Sequence, residues 1–514
     1  MNLLVLVLLV PFFSSMALAL LTGWPRAQRV LNVASCLGMT GFVFWLLFYV
    51  DAHGIQVSEI GGYRPPFGIA LVADRLSCIM LCLSMTVGTV ALLGSLHTVT
   101  AVQERAFFHS LFQMLVLGVN WTFLTGDLFN LFVAYEVMLV GSYGCMMVGA
   151  SRAQVRQSLV YIAINLVAGA LFVAGIALVY ALVGTLNFAD LAQRTASIAG
   201  PRAAVLTAVS MILLVVFAVK AGTFPVFFWL PDSYPVVPAG VNGYFAGLLT
   251  KIGVYSLLRV FVLCFRQEGH ELAITVLLGA SGFTMLLGVL GAVCQWNIRG
   301  ILAWHSVSQI GYMILGIGLV HDPSLARAAI VATILFIVHH SVVKSSLFLL
   351  GDAAEMATGA SHLSKMGGAA RLTPAAAALF LIAALSLAGM PPFSGFLGKL
   401  LLLRTALAGA HWVLVAVAVA TSFLTLVSML KIWTYAYWGA SRRKTPASVA
   451  WRAVAAPSAI LVLATVLLGI WAEPFLHLAD QAAAELTDPA AYVEAVLGSP
   501  VAAGAAAPVD GGAR

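Results

Sequence analysis

Apolar runs of about twenty residues recur along this chain from one end to the other, and no soluble fold has an interior large enough to hide them all. Of its 514 residues 62% are hydrophobic and only 9% are charged. A soluble domain would carry about a quarter charged residues. The solvent for most of this surface must be lipid. In lipid each backbone N–H and C=O needs a partner inside the protein, which leaves helices or a closed barrel. The runs lack the period-two alternation of barrel strands and are about twice as long, so they are helices.

The pattern predicts about fourteen transmembrane helices, at 2–22, 29–50, 69–96, 107–125, 128–149, 157–183, 204–223, 239–264, 272–294, 300–320, 327–350, 374–407, 411–438 and 455–477. The first run has no charged leader and no small-residue cleavage site behind it, so it reads as a spanning helix rather than a removed signal. From about Ala479 the chain turns rich in Ala and Gly and carries Asp480, Glu485, Asp488 and Glu494, which reads as a weakly structured soluble tail. One set of alternate loops holds Arg26, Arg29, Arg105, Arg152, Arg156, Arg299, Lys365, Arg371, Arg442, Arg443, Lys444 and Arg452. The positive-inside bias makes that set cytoplasmic and puts both termini on the outer side. The net charge of +7 is spread over these loops with no nucleic-acid-like patch. The six cysteines form no C-x-x-C pair and read as structural thiols. No metal cluster, nucleotide loop or nucleophile triad is legible, so the expectation is no metal, no cofactor and no self-contained enzyme.

A charge at the bilayer centre costs on the order of 2.5–3.5 kcal/mol even on the mildest scale, so each one needs a reason. Glu136 stands in Phe132-Val-Ala-Tyr-Glu-Val-Met-Leu-Val140, roughly 13 Å into its helix. Lys220, Lys251, Lys344 and Lys399 are similarly placed in apolar runs. His340 and Lys344 are four apart and share a helix face. A histidine titrates near neutrality and can relay protons. The competing reading of Glu136 and Lys220 is a static ion pair, but buried pairs add little stability, and ionisable groups at membrane depth mark ion pathways. His339 points away from His340, His305 fits either a packing or a relay role, and Lys431 ranks below the other lysines. Arg259, Arg327 and Arg404 read as anchors near helix ends. Asp74 and Asp127 read as helix N-caps.

Two apolar helices are interrupted, at Gly222 to Pro225 and at Gly389 to Pro392. Such breaks free backbone carbonyls and are tolerated at membrane depth only when buried in protein or lining a wet cavity. Each lies close to a buried lysine, Lys220 or Lys399. Lys-Ile-x-x-Tyr comes after each break, at Lys251 to Tyr255 and Lys431 to Tyr435, which suggests two related halves.

The stretch from Phe224-Pro-Val-Phe-Phe-Trp-Leu-Pro-Asp-Ser-Tyr-Pro235 through Phe245-Ala-Gly-Leu-Leu-Thr-Lys-Ile-Gly-Val-Tyr255 resembles the core of the proton-translocating antiporter-like subunits of complex I, membrane hydrogenases and Mrp antiporters. Ala303 to Gly311, His340 to Lys344 and Ala388 to Lys399 are similar to further blocks of that family, and the likeness covers roughly 65–440. Within the family, Trp229 to Pro235 and Pro66 to Asp74 most resemble the D-type members of the Mrp-type Na⁺/H⁺ antiporters. The resemblance implies two inverted five-helix repeats, with helices 1–3 in 1–106, repeats in 107–264 and 272–438, and a last helix and tail in 439–514. It places the family's functional residues on Glu136, Lys220, Lys251, His340, Lys344 and Lys399. It implies a proton-translocating subunit that works with other subunits of a hetero-oligomeric Mrp-type antiporter in the bacterial inner membrane, moving H⁺ and Na⁺. The alternatives are the homologous pump subunit of NADH-quinone oxidoreductase or a membrane-bound hydrogenase, and a scaffold with frozen ion pairs.

Overall fold

The computed structural model describes residues 3–440 and 450–498. Arg442, Arg443 and Lys444 and the last part of the tail lie outside the described residues. Among the described residues, twelve helices are long and apolar enough to cross a membrane, and Phe108–Leu124 and Pro374–Ala388 are shorter apolar helices. Each of the runs read from the sequence falls on one of these helices, or on the pair Pro374–Ala388 and Ser394–Ala408. The 69–96 run begins later than expected. Ala70–Ala73 is a strand paired antiparallel with Gln56–Glu59, and the helix starts at Arg75 because Asp74 caps it, accepting from the Ser77 amide at 2.8 Å.

Burial separates inner from outer helices. The apolar windows of Val241–Cys264 and Ile298–His321 are 94% buried, against 28% for Pro25–His53 and Trp412–Tyr437. The inner helices can lie close because glycines face their neighbours. A Cβ on Gly253 would stand 2.3 Å from the Ala221 amide nitrogen, and one on Gly247 would stand 2.3 Å from Ser345 Oγ. These contacts press Val241–Cys264 against both the Lys220 helix and Ala326–Thr358, as small residues do in membrane bundles.

Both breaks are built alike. Gly222 (φ 75°) and Gly389 (φ 91°) adopt the left-handed conformation that ends a helix. Each amide donates to two carbonyls of the last turn: Gly222 to Ala218 and Val219 at 2.9 and 3.2 Å, Gly389 to Leu385 and Ser386 at 3.1 and 3.0 Å. They differ downstream. After Gly389 a helix resumes at Ser394. After Gly222 the chain makes only the short helix Trp229–Ser233 and a 3₁₀ turn before Val241, so the first break ends its helix instead of interrupting it.

The tail reading needs correction. Glu473–Thr487 and Ala490–Leu497 are helices, with Ala479, Ala482, Ala483 and Leu486 buried against the bundle. Alanine there is a small helix former on a packed face, not a sign of disorder.

Overpacking a close helix contact costs about 1–3 kcal/mol. Gly253→Val should therefore lower the thermal stability of the purified assembly by about that amount, whereas Gly279→Ala, with nothing within 4 Å of its Cβ, should leave it unchanged.

Candidate functional site

The buried charges named from the sequence form two groups. In the first, Lys220 stands in the last turn of Gly200–Ala221, 4% exposed. Its ammonium donates to Asn165 Oδ1 at 2.9 Å and lies 5.4 Å from the centre of the Tyr135 ring. Asn165 is fixed by donating its amide to the Tyr161 carbonyl at 2.8 Å, which leaves its oxygen free for the lysine. Glu136 is half-buried and lies against the Asn165 helix one turn further along, where a Cβ on Gly169 would stand 3.0 Å from its Oε1. Among the described residues the static ion pair of the competing reading is not formed. Glu136 acts on Lys220 electrostatically, and a neutral amide makes the contact.

In the second group, helices Val241–Cys264, Ile298–His321, Ala326–Thr358 and Ser394–Ala408 bring Lys251, His305, His340, Lys344 and Lys399 together. Lys251, Lys344 and Lys399 and the ring of His339 all act electrostatically on His340. Each ammonium rests on backbone oxygen. Lys251 donates to Ala246 at 2.5 Å, inside the π-helical turn Phe245–Leu249. Lys344 donates to Leu302 at 2.6 Å. Lys399 donates to Leu387 and Ala388 at 3.0 and 3.2 Å, the carbonyls released where Pro374–Ala388 breaks off. The Tyr312 ring lies under Lys399, 5.1 Å from its Nζ.

The histidines differ. His339 Nδ1 bonds to Ser394 Oγ at 2.8 Å, and Ser394 is held by Thr465 at 2.6 Å, so His339 packs on the resumed helix. His305 Nε2 bonds to Ser428 Oγ. Among the described residues, both ring nitrogens of His340 are buried without a protein partner, as are His305 Nδ1, Gln309 Oε1, Ser341 Oγ and Thr250 Oγ1. Buried polar atoms of this kind are where proteins hold ordered water. Water bonded to them would join the ammonium groups, since His340 lies among all three lysines.

Tyr135 and Ser256 connect the groups. The Tyr135 hydroxyl meets Ser256 Oγ at 2.9 Å, on the helix that carries Lys251. Lys431 stands apart, its ammonium on the Val293 and Gln295 carbonyls at 3.0 and 2.7 Å, where it caps Glu271–Cys294. Asp127 caps its helix at the Asn130 amide as expected. Arg259 is not an anchor at an interface: it is 2% exposed and ion-paired with Asp74. Sequence reasoning also passed over Asn165, a polar residue without the charge that marked the others, and Asp352. Asp352 lies on the His340 helix, bonded to Arg299 at 2.8 Å and to Asn242 at 2.9 Å. Ending that helix at 350 had placed it in a loop.

Such a bundle, with cationic and imidazole side chains gathered at membrane depth around carbonyls and unpartnered polar atoms, defines a polytopic ion-translocating membrane protein. The chain belongs to the transmembrane family of the NADH:quinone oxidoreductases and Mrp antiporters, whose sequence model matches residues 125–425. It is 41% identical to the D component of the Na(+)/H(+) antiporter of Alkalihalophilus pseudofirmus over 96% of this chain and 99% of that one. It is 35% identical to the corresponding D component of the Na(+)/H(+) antiporter of Bacillus subtilis over 96% and 99%. Its fold superposes on a chain of the Mrp complex from Dietzia sp. DQ12-45-1b with a TM-score of 0.89 at 33% identity, covering 97% of this chain and 99% of that one. The fold alone is shared with a chain of respiratory complex I from Thermus thermophilus, at 23% identity and a TM-score of 0.80 over 94% and 100%.

Leaving a buried ammonium without its acceptor costs about 1–3 kcal/mol or more. Asn165→Leu should destabilise the assembly by about that amount, and adding Lys220→Met should restore most of it, because the donor leaves with its acceptor. Denaturation of the single and double variants measures this.

Proposed function

We propose that this chain is the proton-translocating member of a multi-subunit Na⁺/H⁺ antiporter, driven by the proton-motive force across a bacterial plasma membrane. Two relatives aligned over nearly their whole length are named as components of a Na(+)/H(+) antiporter, which favours this reading over a redox-driven pump. The observation that carries the mechanism is the gathering of Lys251, Lys344 and Lys399 around His340, with Lys220 one tyrosine and one serine away.

Lys220 would be the switch. An ammonium that faces a carboxylate holds its proton, and one that faces only neutral dipoles gives it up more readily. Lys220 rests on Asn165, with Glu136 one turn further along the Asn165 helix, so a rotation of its flexible stem exchanges one environment for the other. A proton released there would pass by water and the Tyr135–Ser256 link towards Lys251, His340, Lys344 and Lys399. His340, with both nitrogens free of protein bonds, suits a carrier that accepts on one side and donates on the other. The alternate-loop bias of Lys and Arg supports an outer location for the C-terminal helices. Partner subunits, as in the Mrp complex whose chain shares this fold, would complete the cation route.

Glu136→Gln and Lys220→Ala should each abolish Na⁺-dependent proton movement in everted vesicles while the other subunits still co-purify with the chain. Normal antiport in both variants would refute the switch.

A further inference from the structure

Among the described residues, three clusters of three or more ionisable groups lie outside the lysine and histidine group. Glu104 pairs with Arg29 and His109, and Asp352 and Glu355 pair with Arg299. The third stands in line with Lys251. Lys251, Tyr255 and Arg259 are spaced i, i+4 and i+8, so they share one helix face. Arg259 Nε donates to the Tyr255 hydroxyl at 2.9 Å, and its Nη2 bonds to Asp74 and, at 3.0 Å, to Ser77 Oγ. Asn242, which holds Asp352, and Arg259 are about 25 Å apart along this helix, close to the hydrocarbon thickness of about 30 Å. The two clusters therefore mark opposite membrane faces, with Lys251 between them.

Asp74 is 1% exposed, and its Oδ2 has no protein partner among the described residues. Glu485, from the helix Glu473–Thr487, lies over it. Its Oε1 accepts from Arg75 Nη1 at 2.5 Å and its Oε2 from the Arg75 amide at 3.3 Å, the residue next to Asp74. Arg75 Nε continues to exposed Asp51 at 2.9 Å. Carboxylates thus step inward from Asp51 through Glu485 to Asp74, with a guanidinium between or beside each.

We propose that Glu485 and Asp74 form the proton-uptake port of this chain: Glu485 takes a proton from water at the outer face and hands it to Asp74, above Tyr255 and Lys251. The inference rests on the antiporter reading. One O–H bond forms on the Glu485 carboxylate and is then exchanged for one on Asp74 Oδ2, so only a proton moves. Arg259 and Arg75 do not titrate; they stay as fixed positive charges that repel sodium, while a proton held on a neutral carboxyl passes. Burial first, and the Asp74 carboxylate second, push the Glu485 carboxyl above its ordinary value, which the Arg75 contacts oppose. Cys78, Arg259 and Tyr492 also face this cluster. Against the same tail, Arg266 donates to the Thr487 carbonyl and Arg327 pairs with Asp480.

Asp480 separates a tether from a port. It fixes the same helix to the bundle through Arg327, which holds its carboxyl below the ordinary value. Glu485→Gln keeps an oxygen for Arg75 but cannot titrate. In everted vesicles containing the whole complex, the outer face is the lumen. The Glu485→Gln complex should follow wild type at acidic lumenal pH, lose antiport several-fold as the lumen becomes alkaline, and recover when the lumen is loaded with imidazole as a mobile proton donor. Asp480→Asn should track wild type throughout. A Glu485→Gln complex with the wild-type pH profile, or with a loss that imidazole does not restore and Asp480→Asn shares, overturns the port. A wild-type complex that moves no protons against sodium overturns the antiporter reading, and the port with it.

Discussion

Four lysine ammonium groups lie buried at membrane depth and touch only neutral acceptors, and the rest of the arrangement depends on that. Their partners are carbonyls of Ala246, Leu302, Leu387 and Ala388, and the amide oxygen of Asn165. Among the interior carboxylates, Asp352 is held by Arg299, Asp74 by Arg259 and Glu104 by Arg29, and Glu136 lies beside Gly169, one turn from Asn165. Lys251 acts electrostatically on Lys344, and like charges raise one another's free energy in a medium of low dielectric.

The backbone is shaped to supply these acceptors. Leu302 lies inside the regular helix Ile298–Gly318 and accepts Lys344 on the second lone pair of its carbonyl, whereas the other carbonyl acceptors come from irregular backbone. The break after Ala388 releases two for Lys399, and the π turn at Phe245–Leu249 offers one to Lys251. Gly247 and Gly253 bring the Lys251 helix against its neighbours on both sides. The irregularities and the glycines are thus parts of one site. Each would be costly in lipid if it faced outward.

Much of this was legible in the sequence because a charge inside an apolar run is conspicuous. Glu136 and the four lysines stand out that way, and Gly-x-x-Pro within apolar stretches marked both breaks. Asn165 was not legible, since it carries no charge to stand out in an apolar run, and its role depends on how two helices face one another. Arg259 was misread for a related reason. Its partner, Asp74, is 185 residues away, so nothing near Arg259 in the sequence shows that it turns inward. The C-terminal helices were missed because an alanine-rich segment looks featureless until the packed face of Ala479, Ala482 and Ala483 is seen.

The most direct test is a map of the assembled complex at a resolution that shows ordered water. Water should bond to both ring nitrogens of His340 and to Ser341, Thr250 and Gln309, and should continue to the Lys251, Lys344 and Lys399 ammonium groups. Aliphatic packing that leaves those atoms dry and separated would contradict a proton-conducting group.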